Sequence, residues 1–190
     1  MRMYRRWDWK DERTLDVGCG GGFMSHALVD VGAEVTGVDI AEGALEAARE
    51  AVPQARFLNG PADTLPFEED TFDRVVCTDV LVHVPDPWPV VAEMARVLKP
   101  NGLLFVSFIN RNLLARLVMV TLGEGLGFVH PGTHDPAKFI KPAELQSRAM
   151  TAGLQRVHEE GLGPTGWDRG FTFGRHPTTT VMVQQVYQLV

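Results

Sequence analysis

Cysteine is nearly absent: Cys19 and Cys77 are the two in 190 residues. They lack metal-ligand spacing, which argues against a disulfide scaffold or a thiolate metal site and fits small buried side chains in a reducing compartment. Positive charge is also in deficit. Eighteen Lys and Arg stand against 24 Asp and Glu, for a net charge of −6. With no basic arm or basic domain, a nucleic-acid partner is not expected. No run approaches the roughly 20 apolar residues that cross a bilayer. Residues 1–13 are charged and lack the apolar stretch of a signal peptide, which predicts a cytoplasmic protein, at most peripheral on the inner membrane surface.

What is present is ordinary for a globular chain: 45% hydrophobic and 22% charged residues. The length predicts one domain over residues 1–190, large enough to bury its own core. Residues 14–39 organise it. Thr14, Leu15, Asp16 and Val17 form a short β-rich run that stops at Gly18-Cys19-Gly20-Gly21-Gly22. Phe23, Met24, Ala27, Leu28 and Val31 then recur at helical spacing, and residues 34–38 form a second β-rich run that ends on Asp39. Glycines let the backbone turn tightly and approach a ligand, and an acid about 20 residues on, at the next strand's tip, can accept both hydroxyls of a ribose. A dinucleotide fingerprint would need its third glycine at position 23. That position is Phe23, whose side chain is expected to block close packing there.

Further along, residues 41–52 read as an amphipathic helix stopped by Pro53, and residues 56–59 as a third strand. A Pro- and acid-rich connection holds Asp63, placed either to accept an adenine amine or to cap a helix. A fourth strand runs from Asp73 to Thr78. The loop over residues 78–89 follows at the carboxyl edge of the sheet, where open α/β folds bind ligands. Val90, Val91, Met94, Ala95 and Leu98 mark a helix ended by Lys99-Pro100-Asn101-Gly102, and residues 102–109 a fifth strand. This alternation predicts an α/β fold, a Rossmann-like doubly wound sheet, mainly parallel, with helices on both faces.

The alternation then breaks. Residues 110–141 read as an insertion of the lid or binding-loop kind, with Leu113, Leu114, Leu117 and Val118 interleaved by Arg116. Such a segment either packs over the pocket or lies on an anionic membrane, which makes 113–128 a candidate peripheral contact. Residues 142–152 read as a helix, 154–159 as a sixth strand, 161–180 as loop and 181–189 as the last strand. Residues 1–13, with Trp7 and Trp9 among arginines, are either tucked against the domain or a remnant of a lid over the cofactor. Oligomeric state stays open, a homodimer included.

The acid-x-Gly-x-Gly-x-Gly run Asp16-x-Gly18-x-Gly20-x-Gly22 resembles the signature of class I S-adenosylmethionine (SAM) methyltransferases, and Asp63-x-Leu65-Pro66-Phe67 is similar to their adenine loop. Ser107-Phe108-Ile109-Asn110-Arg111-Asn112, Gly132-Thr133-His134-Asp135 and Lys138-Phe139-Ile140-Lys141-Pro142-Ala143-Glu144-Leu145 narrow the likeness. In that order, with Val82-His83-Val84-Pro85-Asp86-Pro87, they resemble the 3-demethylubiquinone O-methyltransferases of coenzyme Q biosynthesis, over about residues 14–150.

The resemblance implies a seven-stranded sheet with an antiparallel last strand beside the fifth. It also implies methyl transfer from SAM, yielding S-adenosylhomocysteine, to a phenolic or catechol oxygen of a prenylated quinone precursor. Its cofactor contacts fall on Gly18, Asp39 and Thr78. Together with the reading of the residues, the expected cofactor set is Asp16, Gly18, Gly20, Gly22, Asp39, Ile40, Asp63 and Thr78. The family's divalent-metal cluster falls on Asp79, Val82 and His83, and Val82 offers no oxygen, so no metal ligand is assigned. A phenol must lose its proton before transfer. His83 is the first candidate base, with Asp79 to orient it, and His134 is the second. The alternatives are a small soluble phenol or natural product as acceptor, or a SAM-binding subunit without catalysis.

Overall fold

The computed structural model describes residues 6–124, 130, 132–167, 171–176 and 181–190. Five strands come first: β1 (Arg13–Val17), β2 (Glu34–Asp39), β3 (Arg56–Asn59), β4 (Phe72–Thr78) and β5 (Leu98–Ile109). Helices α1 (Phe23–Val29), α2 (Glu42–Ala51) and α3 (Pro87–Val97) alternate with them. Then follow α4 (Leu113–Ala115), running on as a π-helix over Arg116–Glu124, a 3₁₀ turn at Pro136–Lys138, and α5 (Pro142–Thr151). The chain closes with β6 (Leu154–Trp167), β7 (Phe171–His176) and β8 (Met182–Leu189).

The eight strands form one sheet in the order β3-β2-β1-β4-β5-β8-β6-β7. β1 to β5 pair in parallel, and β8 runs antiparallel between β5 and β6. The expected doubly wound, mainly parallel sheet is present, with one strand more than the seven anticipated. The glycine- and proline-rich stretch read as loop instead carries β6 on to Trp167 and forms β7, which pairs antiparallel with it. Residues 168–170 and 177–180 of that stretch lie outside the described residues. Strand order reverses between β1 and β4, which opens a crevice at their carboxyl ends, the ligand position of open α/β sheets.

Local chemistry explains the elements that frame this crevice. Asp86 caps α3 by accepting the Trp88 amide at 3.1 Å, and Pro87 begins the helix, where a missing N–H costs nothing. Central strand β5 is buried continuously from Gly102 to Ile109, as a strand covered on both faces must be. One apolar cluster packs α3 and α5 on one face through Val90, Met94, Leu145 and Ala149. On the other, Leu28 of α1 joins Val35, Val76 and Phe105. Trp9 lies in that second cluster, 4.8 Å from the Phe105 ring, with the Arg74 guanidinium 5.8 Å from its own ring. From Arg6 onward the leading segment is therefore tucked against the sheet; residues 1–5 lie outside the described residues.

Helix α1 departs from its expected apolar stripe. Phe23 is 80% exposed and Val31 lies beyond the helix end, so the buried contacts of α1 are Ser25 and Leu28. Phe23 thus blocks nothing. The close approach is made one residue earlier, where a Cβ on Gly22 (φ +83) would sit 3.1 Å from the Ala48 Cβ of α2.

Candidate functional site

Three strand ends meet at the crevice. At the end of β1, Gly18 has φ +69, its amide donates to the Val38 carbonyl at 2.7 Å, and a Cβ there would lie 2.2 Å from Val80 Cγ2. Both the backbone conformation and the space demand glycine. At the end of β2, the Asp39 carboxylate is held at each oxygen: Oδ2 accepts the Gly20 amide at 2.8 Å and Oδ1 the Ala41 amide at 2.9 Å. Asn59 Nδ2 donates to the Ile40 carbonyl at 3.1 Å, fixing a residue whose side chain is 72% exposed. The resulting cleft has a volume of about 390 Å³.

Of the residues singled out in the sequence, Gly18, Asp39, Ile40, Asp63, Thr78, Asp79 and His83 line this cleft. Val80, Val84 and Pro85, which the sequence reading did not single out, supply apolar wall. Gly20 and Gly22 shape the turn rather than the wall. Asp16 is not brought to the cleft. It is buried behind the turn, where it accepts a 2.6 Å hydrogen bond from Ser25 Oγ and so ties β1 to α1. Burial pushes its carboxyl up to about 6, against the pull of the Ser25 hydrogen bond.

The far end of the cleft holds a second group. Asp79 follows β4 with φ 62, and its amide donates to the Ser107 carbonyl at 3.1 Å. Burial raises its carboxyl above the usual range, while the charges of His83 and His134 pull it back. Its Oδ1 is buried and accepts no hydrogen bond, so a ligand donor arriving there would satisfy it. His83 is exposed at the rim, and the His83 and His134 rings stand 6.3 Å apart at 39°.

His134 comes from the insertion and is buried. One carboxylate holds it there. Glu124 Oε1 accepts the His134 amide at 2.9 Å, while Glu124 Oε2 accepts the Gly132 amide at 2.7 Å. These two amides hold the Glu124 carboxyl below its usual range. Sequence reasoning missed Glu124. The one signal available was that it is the single acid between Glu93 and Asp135.

The residues present do not fit the divalent cation that the resemblance implies. Position 82, where a ligand oxygen would be needed, is a valine 4% exposed in a cluster with Ile109, Ala115, Val118, Phe139 and Val181. Among the described residues no three His, Cys, Asp or Glu side chains come together as a metal-holding group. Hard cations need several oxygens, and in the Asp79, Val82, His83 set only Asp79 offers a carboxylate.

A methyltransferase-domain family model matches residues 15–106. The fold is shared with a SAM-dependent methyltransferase from Methanosarcina mazei, at TM-score 0.76 and 21% identity, covering 100% of this chain and 98% of that one. A Pyrococcus horikoshii protein matches at TM-score 0.75 and 27% identity, over 100% and 87%. Fold and matching domain thus place the chain in the methyltransferase class.

Curated relatives are nearer in sequence. The ubiquinone biosynthesis O-methyltransferase of Thiobacillus denitrificans is 43% identical over 157 residues, 80% of this chain and 68% of that protein. Its namesake in Aromatoleum aromaticum is 36% identical over 191 residues, 94% and 82%. This chain belongs to the ubiquinone biosynthesis O-methyltransferase family, and it is a SAM-dependent O-methyltransferase.

Proposed function

We propose that this chain, one methyltransferase domain over residues 1–190 with residues 110–141 as its lid, methylates a phenolic oxygen of a prenylated quinone precursor. The observation that carries the reading is a cleft that joins a clamped acid, Asp39, to Asp79 and His83, with the His134 ring 6.3 Å from that of His83. The names of the relatives supply the substrate class.

SAM, when bound, supplies a methyl group on a sulfonium, open to in-line displacement. Asp39 accepts the ribose hydroxyls, its own geometry fixed beforehand by the Gly20 and Ala41 amides. Ile40 would pack on the adenine, and Asp63 would accept its exocyclic amine. Gly18 and Thr78 line the approach to the reacting centre, and Asp16 acts indirectly by bracing the turn through Ser25. Val80, Val84 and Pro85 exclude water from the cleft. The acid–imidazole group takes the phenol proton, because the phenolate is the competent nucleophile.

The insertion supports a lipid-borne acceptor. Leu113, Leu114 and Leu117 are 84%, 43% and 48% exposed, with Arg111 and Arg116 beside them. Such a face suits peripheral contact with an anionic membrane through 113–128, of which residues 125–128 lie outside the described residues. Among the described residues no helix is long and apolar enough to cross a membrane.

The test is turnover of SAM with a short-chain prenylated catechol, with and without anionic vesicles. Methylated product that rises with lipid is expected, and Leu113→Ser/Leu117→Ser should remove the lipid response while sparing turnover in solution. SAM binding without product on the prenylated catechol overturns the reading. Product on a small soluble phenol would then indicate a soluble acceptor, and no product on either a SAM-binding subunit.

A further inference from the structure

Of the two imidazoles His83 lines the cleft, and His134 stands behind it with its ring 6.3 Å from that of His83; they are held in different ways. His83 is exposed, and its backbone amide donates to the Val80 carbonyl at 2.8 Å. His134 is buried, and the carboxylate that fixes its backbone also stands beside its ring: Glu124 Oε1 is 3.5 Å from His134 Nδ1, with both side chains at 10% exposure or less. Nδ1 is buried and makes no hydrogen bond at that distance. Catalytic hydrogen bonds often stay long until substrate packs against them.

A carboxylate at Nδ1 of a buried imidazole has a defined chemical effect. It keeps the proton on Nδ1, leaves the lone pair on Nε2 at the opposite edge of the ring, and stabilises the imidazolium once a proton arrives. No other acid of the insertion precedes His134, since Glu124 is the single acid between Glu93 and Asp135. Glu124 also closes the chain on itself. By accepting the Gly132 and His134 amides it holds the return of the insertion, whose turn at Gly132 has φ +83.

We propose that Glu124 is a positioning residue that fixes His134 as the proton acceptor of methyl transfer, in place of the exposed His83; the inference rests on the phenol-methylation reading above. The phenol O–H bond breaks and its proton passes to His134 Nε2. The oxygen's electron pair forms the O–CH₃ bond as the C–S⁺ bond breaks, leaving a neutral thioether. The imidazolium, balanced by Glu124, then returns its proton to solvent. Asp79 and His83 line the path of the acceptor and are not the base.

Two measurements on the full chain test this. Long-range ¹H–¹⁵N spectra of the wild-type protein are expected to show His134 with its proton on Nδ1 and a bare Nε2, and Glu124→Gln to lose that single tautomer. The wild-type spectrum decides the point even where the variant fails to fold: a proton resident on Nε2 overturns the proposal. In turnover assays with the prenylated catechol, His134→Gln is expected to lower kcat by about 10² to 10⁴, the usual share of a general base. Glu124→Gln should lower kcat with little change in the KM for SAM. Combined with His134→Gln it should add nothing further, because residues acting as one unit are not additive. An equal loss from Glu124→Gln in both backgrounds marks a merely structural role and overturns the proposal, as does a full loss from His83→Gln with His134→Gln active. Should the wild type methylate no phenol, the functional reading fails while the tautomer still reports whether Glu124 holds His134.

Discussion

The amide of Gly20 reaches 19 residues along the chain to donate to Asp39 Oδ2 at 2.8 Å. The glycine turn after β1 and the acid after β2 are thereby one device, and the carboxylate proposed to accept the ribose is already set in place. Asp39→Ala removes the acceptor of two hydroxyls and loosens the turn. Hydrogen bonds to a charged group are worth about 1.5–3 kcal/mol each, so SAM affinity should fall at least ~100-fold. Isothermal titration calorimetry checks this, and near-normal affinity would refute the placement of the nucleoside.

Gly18→Ala combines two penalties, a left-handed backbone at φ +69 and a Cβ 2.2 Å from Val80 Cγ2. Strain and overpacking of this kind cost about 2–4 kcal/mol together. In a chain of this size that lowers Tm by roughly 5–15 °C. Val80→Ala added to Gly18→Ala should recover only part of the loss, because it relieves the clash and leaves the backbone strained. Thermal melts of the three proteins decide it.

Asp16 makes stability depend on pH in an unusual direction. Its carboxyl rises from 3.8 to about 6 on folding. Between those values the folded chain binds more protons than the unfolded one, so this group's contribution falls as pH climbs from about 4 to 6 and stays low above that. The displacement corresponds to on the order of 3 kcal/mol. Asp16→Asn keeps an acceptor for Ser25 Oγ and removes the ionisation. Its stability relative to the wild type should therefore grow across that window and then level off. Taking the difference between the two proteins separates Asp16 from Asp79, whose carboxyl is also raised. Melting curves that run parallel at all pH values would contradict the assignment.

Val82 governs the response to metal. Because position 82 packs among Ile109, Ala115, Val118, Phe139 and Val181, excess EDTA should leave turnover unchanged and added magnesium should not raise it. Val82→Glu buries a charge in that cluster. Its expected effect is a lower Tm without magnesium dependence. Activity lost to EDTA and restored by magnesium would reveal a cation held by other residues.

Much of the fold was legible because its punctuation is local. The glycines at 18–22 and Pro53 mark turns by their own chemistry, and β1 to β4 fall where those signals put them, whereas α3 starts at Pro87 behind its cap Asp86, inside the stretch read as loop to residue 89. The end of the chain was not. Gly161, Gly163 and Pro164 read as loop, and they are held as strand by pairing with β7, a partner about ten residues further on. Phe23 and Val31 kept helical spacing but lie at and beyond the ends of α1, where spacing no longer fixes a face. The site divides in the same way. Asp39 and Asp79 follow from their positions at strand ends. Asp16 was misread because its signature position faces Ser25 rather than the cleft, and Glu124 has no local pattern at all, since its partners Gly132 and His134 are joined to it only by the return of the insertion.

The apolar cluster around Val82 also ties two separate stretches of the chain together. Val82 belongs to the loop that bears Asp79 and His83, whereas Ala115, Val118 and Phe139 belong to the insertion that delivers His134. Neither can be displaced without uncovering the other's side chains, so a substitution that loosens the cluster from one side is expected to loosen the other segment too.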